Sequence, residues 1–416
     1  MSRIAILLAV SILPTASLWA QEPVSALPES LTLPVLLRLV AERSPRLAVE
    51  QVSIETAEAE RITAGAFPNP TVSYGRFTSS GARTLFDGSQ QQQATVDLPL
   101  LIGGQRGARI EAAEQGLLAT RARVGLAGNE LALRAADLFV GLQAAQEKAS
   151  LLDESVAEIE RVATIVSGRL ASGAASLYDL TRVEVELAGV NARAADARAE
   201  VAEKSVGLAA LLGAPGWRPS ASGAVAPAGL SSNAAEWREA LISRNPQIVA
   251  ARREEEAAQA ALTRTERERW PVPVLSLGRT WTSDPFGAAN FVGLSTEIPL
   301  SDARRGLMAR AAADLRAAQR RREAIEAEID VELRRLVEGL ALRQAALERF
   351  RRNVGGRIPA LKQMAEDAYR LGRGSLLEMI DAARSRLDAR LTEVDLRAAT
   401  VGQESRILGL TGKLGG

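Results

Sequence analysis

The 416-residue chain is 47% hydrophobic but only 4% aromatic, and it carries 51 Lys and Arg against 50 Asp and Glu. Apolar content made mostly of Ala, Leu and Val is typical of long, closely packed helices, and a formal charge of +1 argues against nucleic acid as a partner. The chain has no Cys and no His, which removes most thiol, imidazole and metal-ligand chemistry. We therefore expect no enzyme, no metal site and no cofactor.

The N-terminus has the pattern of a secretory signal. Arg3 precedes an apolar run from Ile4 to Leu13, and small residues follow Pro14 up to Ala20. This pattern predicts a signal peptide over residues 1–20. A membrane anchor is the alternative, but the run is shorter than the roughly 20 residues of a membrane-spanning helix. No later segment looks apolar enough to span a membrane as a helix, so we expect any insertion to be by strands.

The remaining chain is an internal duplication. Three tip residues recur 199 positions later in the sequence, as the pairs Gly173 and Gly372, Ser176 and Ser375, Asp179 and Glu378. A repeat of this length predicts one structural unit used twice. We place the first copy at residues 21–213 and the second at 236–416. The Gly-, Pro- and Ser-rich stretch 214–235 between them is expected to be a linker.

Each copy contains a long heptad-like seam. Apolar residues alternate at spacings of four and three from Leu131 to Leu170, which predicts a helix over about 107–170 and on the order of 95 Å long. The second copy keeps the seam less strictly from Leu333 to Leu371, with Arg343 and Arg357 breaking it. Pro359, just after two glycines, is expected to kink this second rod.

Each rod is predicted to end in a tight turn. Gly173 and Gly372 suit the left-handed conformation that closes a helix, and three residues later a serine begins the next one. The segments that begin at Ser176 and Ser375 resemble capping boxes completed by an acidic residue. Each copy is therefore predicted to be an antiparallel helical hairpin.

Four strand-like segments lie near residues 70–78, 90–99, 273–282 and 290–299. In the last one Val292, Leu294, Thr296 and Ile298 alternate with polar or small residues, the pattern of a strand with one apolar face. Each segment is about as long as a strand that crosses a bilayer obliquely. Surface hairpins on a helical protein are the alternative. Because four strands cannot close a transmembrane barrel, a barrel would have to be shared between chains.

These features together resemble the TolC-like outer-membrane efflux family. The duplicated order of helix, two strands and two helices, the Pro-bracketed strands and the tip pattern carry the resemblance. Phe67-Pro-Asn-Pro70 and the segment 101–113 look most like its cation-efflux branch, the CzcC/CusC type that serves resistance-nodulation-division pumps.

The resemblance implies a mostly helical fold with a β-barrel portion. Three copies would form a 12-stranded barrel in the outer membrane, continued into the periplasm by an α-helical barrel, with the linker at its equator. The partners implied are two further copies of the chain, outer-membrane lipid, a periplasmic adaptor and an inner-membrane pump. The tip residues Gly173, Ser176, Gly372 and Ser375 are expected to contact the adaptor.

The resemblance also implies a gate at the periplasmic mouth. Tyr369 and Asp179 match a contact between neighbouring hairpins, while Glu378 and Asp381 match acidic positions that line the constriction. The family's tip arginine falls on Gly374 here, with Arg373 one place earlier. The alternatives are a capping role for Glu378, a solvated helix face for Asp381 and simple packing for Tyr369.

Other functions stay open from the residues alone. A secreted periplasmic coiled-coil scaffold would have the same helices, and a type I secretion channel would share the resemblance. The segment Gly103-Gly-Gln-Arg-Gly107 superficially suggests a phosphate-binding loop, but it lacks the Lys-Ser/Thr ending, and we expect a strand-to-helix turn there.

Overall fold

The computed structural model describes residues 27–78, 90–282, 287–298, 304–370 and 373–414. The predicted signal peptide at residues 1–20 and the tip residue Gly372 therefore lie outside the described residues. The elements of the first repeat are β1 (Ser30–Leu31), α1 (Leu33–Arg43), α2 (Pro45–Gly65), β2 (Thr71–Thr78), β3 (Gln90–Pro99), α3 (Gln105–Ala171) and α4 (Leu177–Leu211). The linker contains β4 (Ser220–Ala221), and the elements of the second repeat are α5 (Ala234–Arg244), α6 (Pro246–Arg267), β5 (Val274–Thr282), β6 (Ala288–Ser295), α7 (Arg305–Phe350), α8 (Ile358–Arg370) and α9 (Leu376–Leu410).

The order predicted from the sequence is present twice, with an additional short strand and helix ahead of the first predicted helix each time. These two-residue strands, β1 and β4, pair in parallel and join the start of the first repeat to the linker. Gly103 and Gly104 form the turn into α3, which begins at Gln105. Gln105 is buried there, where its side chain accepts from Gly103 N at 2.8 Å and donates to Trp270 O at 3.2 Å, so it links both repeats.

The four longer strands form one antiparallel sheet in the order β2-β3-β5-β6. The two repeats meet at its centre, where Thr95 of β3 pairs with Gly278 of β5. A Cβ on Gly278 would lie 2.8 Å from the Ala94 carbonyl oxygen, so this close pairing requires glycine. The outer strands are β2 from the first repeat and β6 from the second, and each is paired within the chain on one side.

The last predicted strand is shorter than expected. It was predicted over 290–299 with Thr296 and Ile298 on its apolar face, but β6 runs from Ala288 to Ser295. Its partner β5 begins at Val274, directly after Pro273. Because proline has no backbone N–H to donate, the ladder ends at this level.

The first long helix confirms the predicted seam. α3 has 67 residues, which corresponds to about 100 Å at the rise of an α-helix. Seam residues such as Leu131, Leu142, Ile159 and Val166 are buried against the neighbouring helices. The whole predicted span of 107–170 therefore lies within one uninterrupted helix.

The second rod is interrupted near the predicted kink. A π-helical turn at Arg351–Gly355 separates α7 from α8, in which Pro359 is the second residue. Seam residues before the turn, such as Leu340 and Leu347, are buried, but Leu361 and Met364 after it are 38% and 68% exposed. A π turn adds a residue to one turn of helix and so rotates everything that follows. The continuation of the seam beyond the turn was therefore wrong for these two positions.

The long helices lie side by side in the order α4, α3, α9 and α7, with α8 against α9. Apolar clusters fill the contacts, and ion pairs reinforce them along α9. Its basic residues pair with acids on α3 and α4 in the contacts Arg386 with Glu158, Arg390 with Glu154, Arg397 with Glu147, and Arg384 with Glu186. Among the helices of the described ranges, none is both long and apolar enough to cross a membrane.

The segment between the repeats is fixed by one buried carboxylate. Glu404 of α9 is only 3% exposed and accepts hydrogen bonds from three consecutive backbone N–H groups. The donors are Ala228 at 2.7 Å, Gly229 at 2.9 Å and Leu230 at 3.1 Å. This part of the linker is thus held against the helices by a charge-assisted contact.

Candidate functional site at the helical tips

The first tip is a tight reversal between α3 and α4. Gly173 has a φ of 73°, in the left-handed region that favours glycine. The Ala174 N–H bonds to the Arg169 carbonyl at 2.7 Å and the Gly173 N–H to the Leu170 carbonyl at 3.0 Å. These two bonds make a Schellman motif, which closes α3 as predicted.

A reciprocal capping box opens the next helix. The Asp179 N–H donates to Ser176 Oγ at 3.1 Å, and Ser176 N donates back to Asp179 Oδ2 at 3.0 Å. Ser176 Oγ also donates to Asp179 Oδ2 at 2.7 Å. These bonds, led by the one from the serine side chain, lower the pKa of Asp179 below its ordinary value. The cap is therefore strongest with the aspartate ionised.

The second tip repeats this geometry between α8 and α9. The Arg373 N–H bonds to the Ala368 carbonyl at 2.9 Å, the counterpart of the bond from Ala174 to Arg169. Ser375 and Glu378 form the second capping box, with N–H to side-chain distances of 3.0 and 3.2 Å. The capping prediction is confirmed at both tips. Arg373, the nearest match to the family's tip arginine, is exposed.

Tyr369 lies between helices of both repeats. Its half-buried ring packs at the edge of an apolar cluster that includes Val166 and Ile380. The guanidinium carbon of Arg169 lies 4.7 Å from the centre of the ring, within the range of a cation–π contact. The ring of Tyr369 and the carboxylate of Asp179 are thus each held by a different neighbour in this chain.

The acidic pair Glu378 and Asp381 lies in the first turns of α9. Both residues are exposed, and three positions apart they lie on one side of the helix. Asp381 is also three residues before Arg384, which pairs with Glu186 of α4. That glutamate is the main reason why the pKa of Arg384 is raised, and Asp381 adds to it. Within the described ranges, no group of three or more acidic residues is arranged to hold a metal ion.

Known proteins are similar to this chain in sequence and in fold. Residues 36–214 match the family described as outer membrane efflux protein. The cobalt-zinc-cadmium resistance protein CzcC of Cupriavidus metallidurans is 25% identical over 372 residues, covering 87% of this chain and 85% of the relative. The nickel-cobalt-cadmium resistance protein NccC of Alcaligenes xylosoxydans xylosoxydans is 26% identical over 319 residues, covering 74% of this chain and 70% of the relative.

Because these alignments cover 87% and 74% of the chain, the similarity extends beyond the first repeat. The first repeat is thus similar to the outer membrane efflux protein family. The structure of CusC, described in connection with transmembrane channel formation, has the same fold, with a TM-score of 0.70 at 21% identity. The match covers 91% of this chain and 92% of the CusC chain. The resemblance inferred from the sequence is confirmed by the match to outer membrane efflux proteins, by these relatives and by the shared fold.

Sequence reasoning missed two features of the tip region. One is the stacking of Arg169 on Tyr369, which joins residues 200 positions apart and leaves no local signal. The other is the row of ion pairs between α3 and α9. Here a signal was available, because Glu147 and Glu154 are seven residues apart, as are Arg390 and Arg397. Opposite charges at heptad spacing on two predicted helices indicate an interhelical row of ion pairs.

Proposed function

We propose that the protein is the outer-membrane exit duct of a tripartite efflux system. It passively conducts substrates that an inner-membrane pump of the resistance-nodulation-division type delivers through a periplasmic adaptor. The single observation that carries the proposal is a sheet whose outer strands each have one unpaired edge among the described residues, joined to a helix about 100 Å long that ends in a tight turn. A sheet of this kind suits a membrane, and a rod of this length suits a tunnel across the periplasm.

The working unit in this proposal is a homotrimer. The sheet described in one chain has four strands, and within the described residues β2 and β6 each have one unpaired edge. Such edges have no partners in the hydrocarbon of a bilayer, so the sheet must close. Pairing β6 of one copy with β2 of the next gives twelve strands from three copies, enough for a transmembrane barrel.

The proposed cargo is a metal cation. The two relatives are named for resistance to cobalt, zinc, cadmium and nickel, and this is the support for a cation-efflux role here. Selectivity would lie in the pump, since this chain has no Cys or His to bind a soft metal. Type I secretion of proteins and a scaffold role without membrane insertion are the competing functions.

The proposed gate lies at the periplasmic mouth. Tyr369 would donate to Asp179 of the neighbouring hairpin, and Asp381 with Glu378 would form a ring of carboxylates at the constriction. Both acids are exposed in the single chain, as a lining role requires. Symmetry would repeat each carboxylate three times, which concentrates negative potential and favours cations.

A complementation experiment tests the exit-duct function. A strain that lacks this gene but keeps its pump and adaptor should lose metal resistance, and the wild-type chain should restore it. Resistance unchanged by the deletion, or a purified protein that never inserts into bilayers, would contradict the proposal. Export of a protein instead of a metal would favour type I secretion.

A single-channel experiment tests the acidic ring. The Asp381→Asn, Glu378→Gln double variant should lose part of its cation preference and its block by multivalent cations, with trimer yield unchanged. Glu328→Gln, at an exposed site on α7 far from the tips, is the control. Equal selectivity in the double variant and the control would place the constriction elsewhere.

A further inference from the structure

A short motif recurs in β2 and β5, the first long strand of each repeat. Ser73-Tyr-Gly-Arg76 lies in β2, and Ser276-Leu-Gly-Arg279 lies in β5, 203 positions later. The same offset separates Phe67 from Trp270, so the two arginines hold equivalent places in the two repeats. An arginine that faces lipid is costly at the middle of a membrane and is tolerated near its surface. The level at which these arginines lie therefore decides what they can bind.

Both arginines lie on the apolar face of the sheet. Arg76 pairs with Gln92 and Arg279 with Ala94, and side chains two positions apart on a strand share a face. The same face carries most of the valines and leucines of the sheet, including Val72, Val96, Leu275, Leu277, Val292 and Leu294. It is also the more exposed face of β5. In the proposed barrel, a face with this composition meets lipid.

The spacing along the strands puts both arginines at the outer edge of the apolar band. Phe67 and Trp270 are exposed aromatic residues on the helix side of the sheet, ahead of β2 and β5. Each arginine follows its aromatic residue by nine positions, and nine extended residues rise about 23 Å at a strand tilt of roughly 40°. The apolar band of an outer-membrane barrel is about 25 Å tall and is flanked by aromatic residues. Tyr74 and Trp281, in the same two rows of the sheet as the arginines, supply the second aromatic level.

The contacts of the two guanidinium groups leave their positive charge unbalanced. Arg76 donates to the neutral amide oxygen of Gln90 at 2.6 Å, and the guanidinium carbon of Arg279 lies 5.9 Å from the centre of the Trp281 ring. In the strands that the structure describes, the one acidic residue is Asp97, and it lies on the opposite face of the sheet. The apolar face therefore ends in positive charge, which is complementary to an anionic partner.

We infer that Arg76 and Arg279 bind phosphate groups of lipopolysaccharide in the outer leaflet, an inference that rests on the proposed outer-membrane channel. A phosphorylated glycolipid places its phosphates where the acyl chains end, which is the level of the two arginines. The planar guanidinium donates to a phosphate in bidentate geometry. Ala94 lies between Tyr74 and Arg279 in the sheet, and its small side chain leaves room for a head group beside the guanidinium. Three copies would place six such arginines around one barrel.

Lipid binding by the purified full-length protein in detergent tests the inference. The probe is bisphosphorylated lipid A, the membrane anchor of lipopolysaccharide, and native mass spectrometry measures how much of it stays bound. The Arg76→Gln, Arg279→Gln variant should bind lipid A about fivefold more weakly for each arginine lost, the usual effect of a basic residue at a membrane surface. The control is Arg38→Gln, Arg238→Gln, which removes the same charge at exposed positions of α1 and α5. That control should bind lipid A like the wild type.

Two further measurements identify what is bound. The Arg76→Lys, Arg279→Lys variant keeps the charge and should retain most of the binding, which separates a lost contact from a misfolded sheet. Lipid A without its phosphates should bind the wild type as weakly as intact lipid A binds the glutamine variant. Inorganic phosphate at the concentration of the lipid should not displace lipid A, and displacement would overturn the assignment to a lipid.

The outcomes separate the inference from the proposed function. If the glutamine variant binds lipid A as well as the control does, or if removal of the phosphates changes nothing, the inference is wrong. The exit duct stays intact in either case, provided that the protein inserts into bilayers and restores metal resistance. A protein that never inserts into bilayers would overturn both.

Discussion

The guanidinium of Arg169 lies 4.7 Å from the centre of the Tyr369 ring and joins the tip of the first hairpin to that of the second. Because the contact uses the ring and not the hydroxyl, the two parts of this tyrosine can be tested separately. Tyr369→Phe should raise resting conductance, since it removes only the hydroxyl that is proposed to bond to Asp179 of the neighbouring hairpin. Tyr369→Leu should also lose the stacking, worth about 0.5 to 1 kcal/mol at an exposed site. Single-channel recording and thermal unfolding measure the two effects.

The control for the hydroxyl is Tyr178→Phe. Tyr178 adjoins Asp179 on α4 and is strongly exposed. It should leave conductance unchanged. If Tyr369→Phe also conducts like the wild type, the hydroxyl takes no part in closing the mouth and the tyrosine serves only as packing.

Gly173 and Gly168 allow the same substitution to be compared in two conformations. Neither has a neighbouring atom within 4 Å of an added Cβ, but only Gly173 has a positive φ. Gly173→Ala should destabilise the tip by about 1 to 2 kcal/mol through left-handed strain. Gly168→Ala, within α3, should stabilise by roughly 0.5 to 1 kcal/mol. Hydrogen exchange of the tip amides measures whether the two variants change the stability of the tip in opposite directions.

The same two variants test the docking role of the tip. With Gly173→Ala, metal resistance should fall while the amount of trimer in the membrane stays normal. Full resistance, together with faster exchange at the tip, would show that the adaptor binds elsewhere.

The first tip should lose stability in acid. The pKa of Asp179 is lowered by its bonds from Ser176, so its stabilising effect is complete above the ordinary aspartate pKa of about 4. The effect disappears as the pH falls through the lower value in the folded protein. Exchange of the Asp179 amide should therefore speed up below pH 4 relative to other α4 amides, after correction for intrinsic exchange. Asp179→Asn should abolish this pH dependence, and a profile identical to the wild type would contradict the assignment.

Glu404 should matter more than other glutamates. Glu404→Gln keeps the size but places an amide where three backbone N–H groups converge. We expect a loss of about 1.5 to 3 kcal/mol, the range for hydrogen bonds to a charged group. Glu328→Gln on the exposed face of α7 should change stability by less than about 0.5 kcal/mol. Denaturant unfolding measures both, and faster proteolysis near residues 228–230 should accompany only the first. Equal losses would mean that the linker is not held by this carboxylate.

Local chemistry made much of the fold predictable. The turn at Gly173 and both capping boxes depend on residues within six positions of one another, and they were predicted correctly. The seam of α3 was predicted almost to its ends because its spacing is regular. The two-residue strands β1 and β4 could not be predicted, since they pair across about 190 positions and two residues carry no pattern.

The candidate site was less accessible to prediction. The stack of Arg169 on Tyr369 depends on helices from different repeats lying side by side. The contact of Glu404 depends on the linker lying against α9, and spacing along one helix determines neither. The π turn after Phe350 had a local sign in Gly355, Gly356 and Pro359. That sign predicted an interruption but not the rotation that exposes Leu361 and Met364.

The two rods of the chain differ in stiffness along their length. α3 runs for 67 residues without a break, and acids on it are tied to α9 by ion pairs. The second rod consists of α7 and α8, with a π turn and two glycines between them. α8 packs mainly on α9. A load applied at the tips would therefore bend the chain at Arg351–Gly356 first. Each copy would then have one long helix that resists bending, α3, and one segment that bends first, Arg351–Gly356.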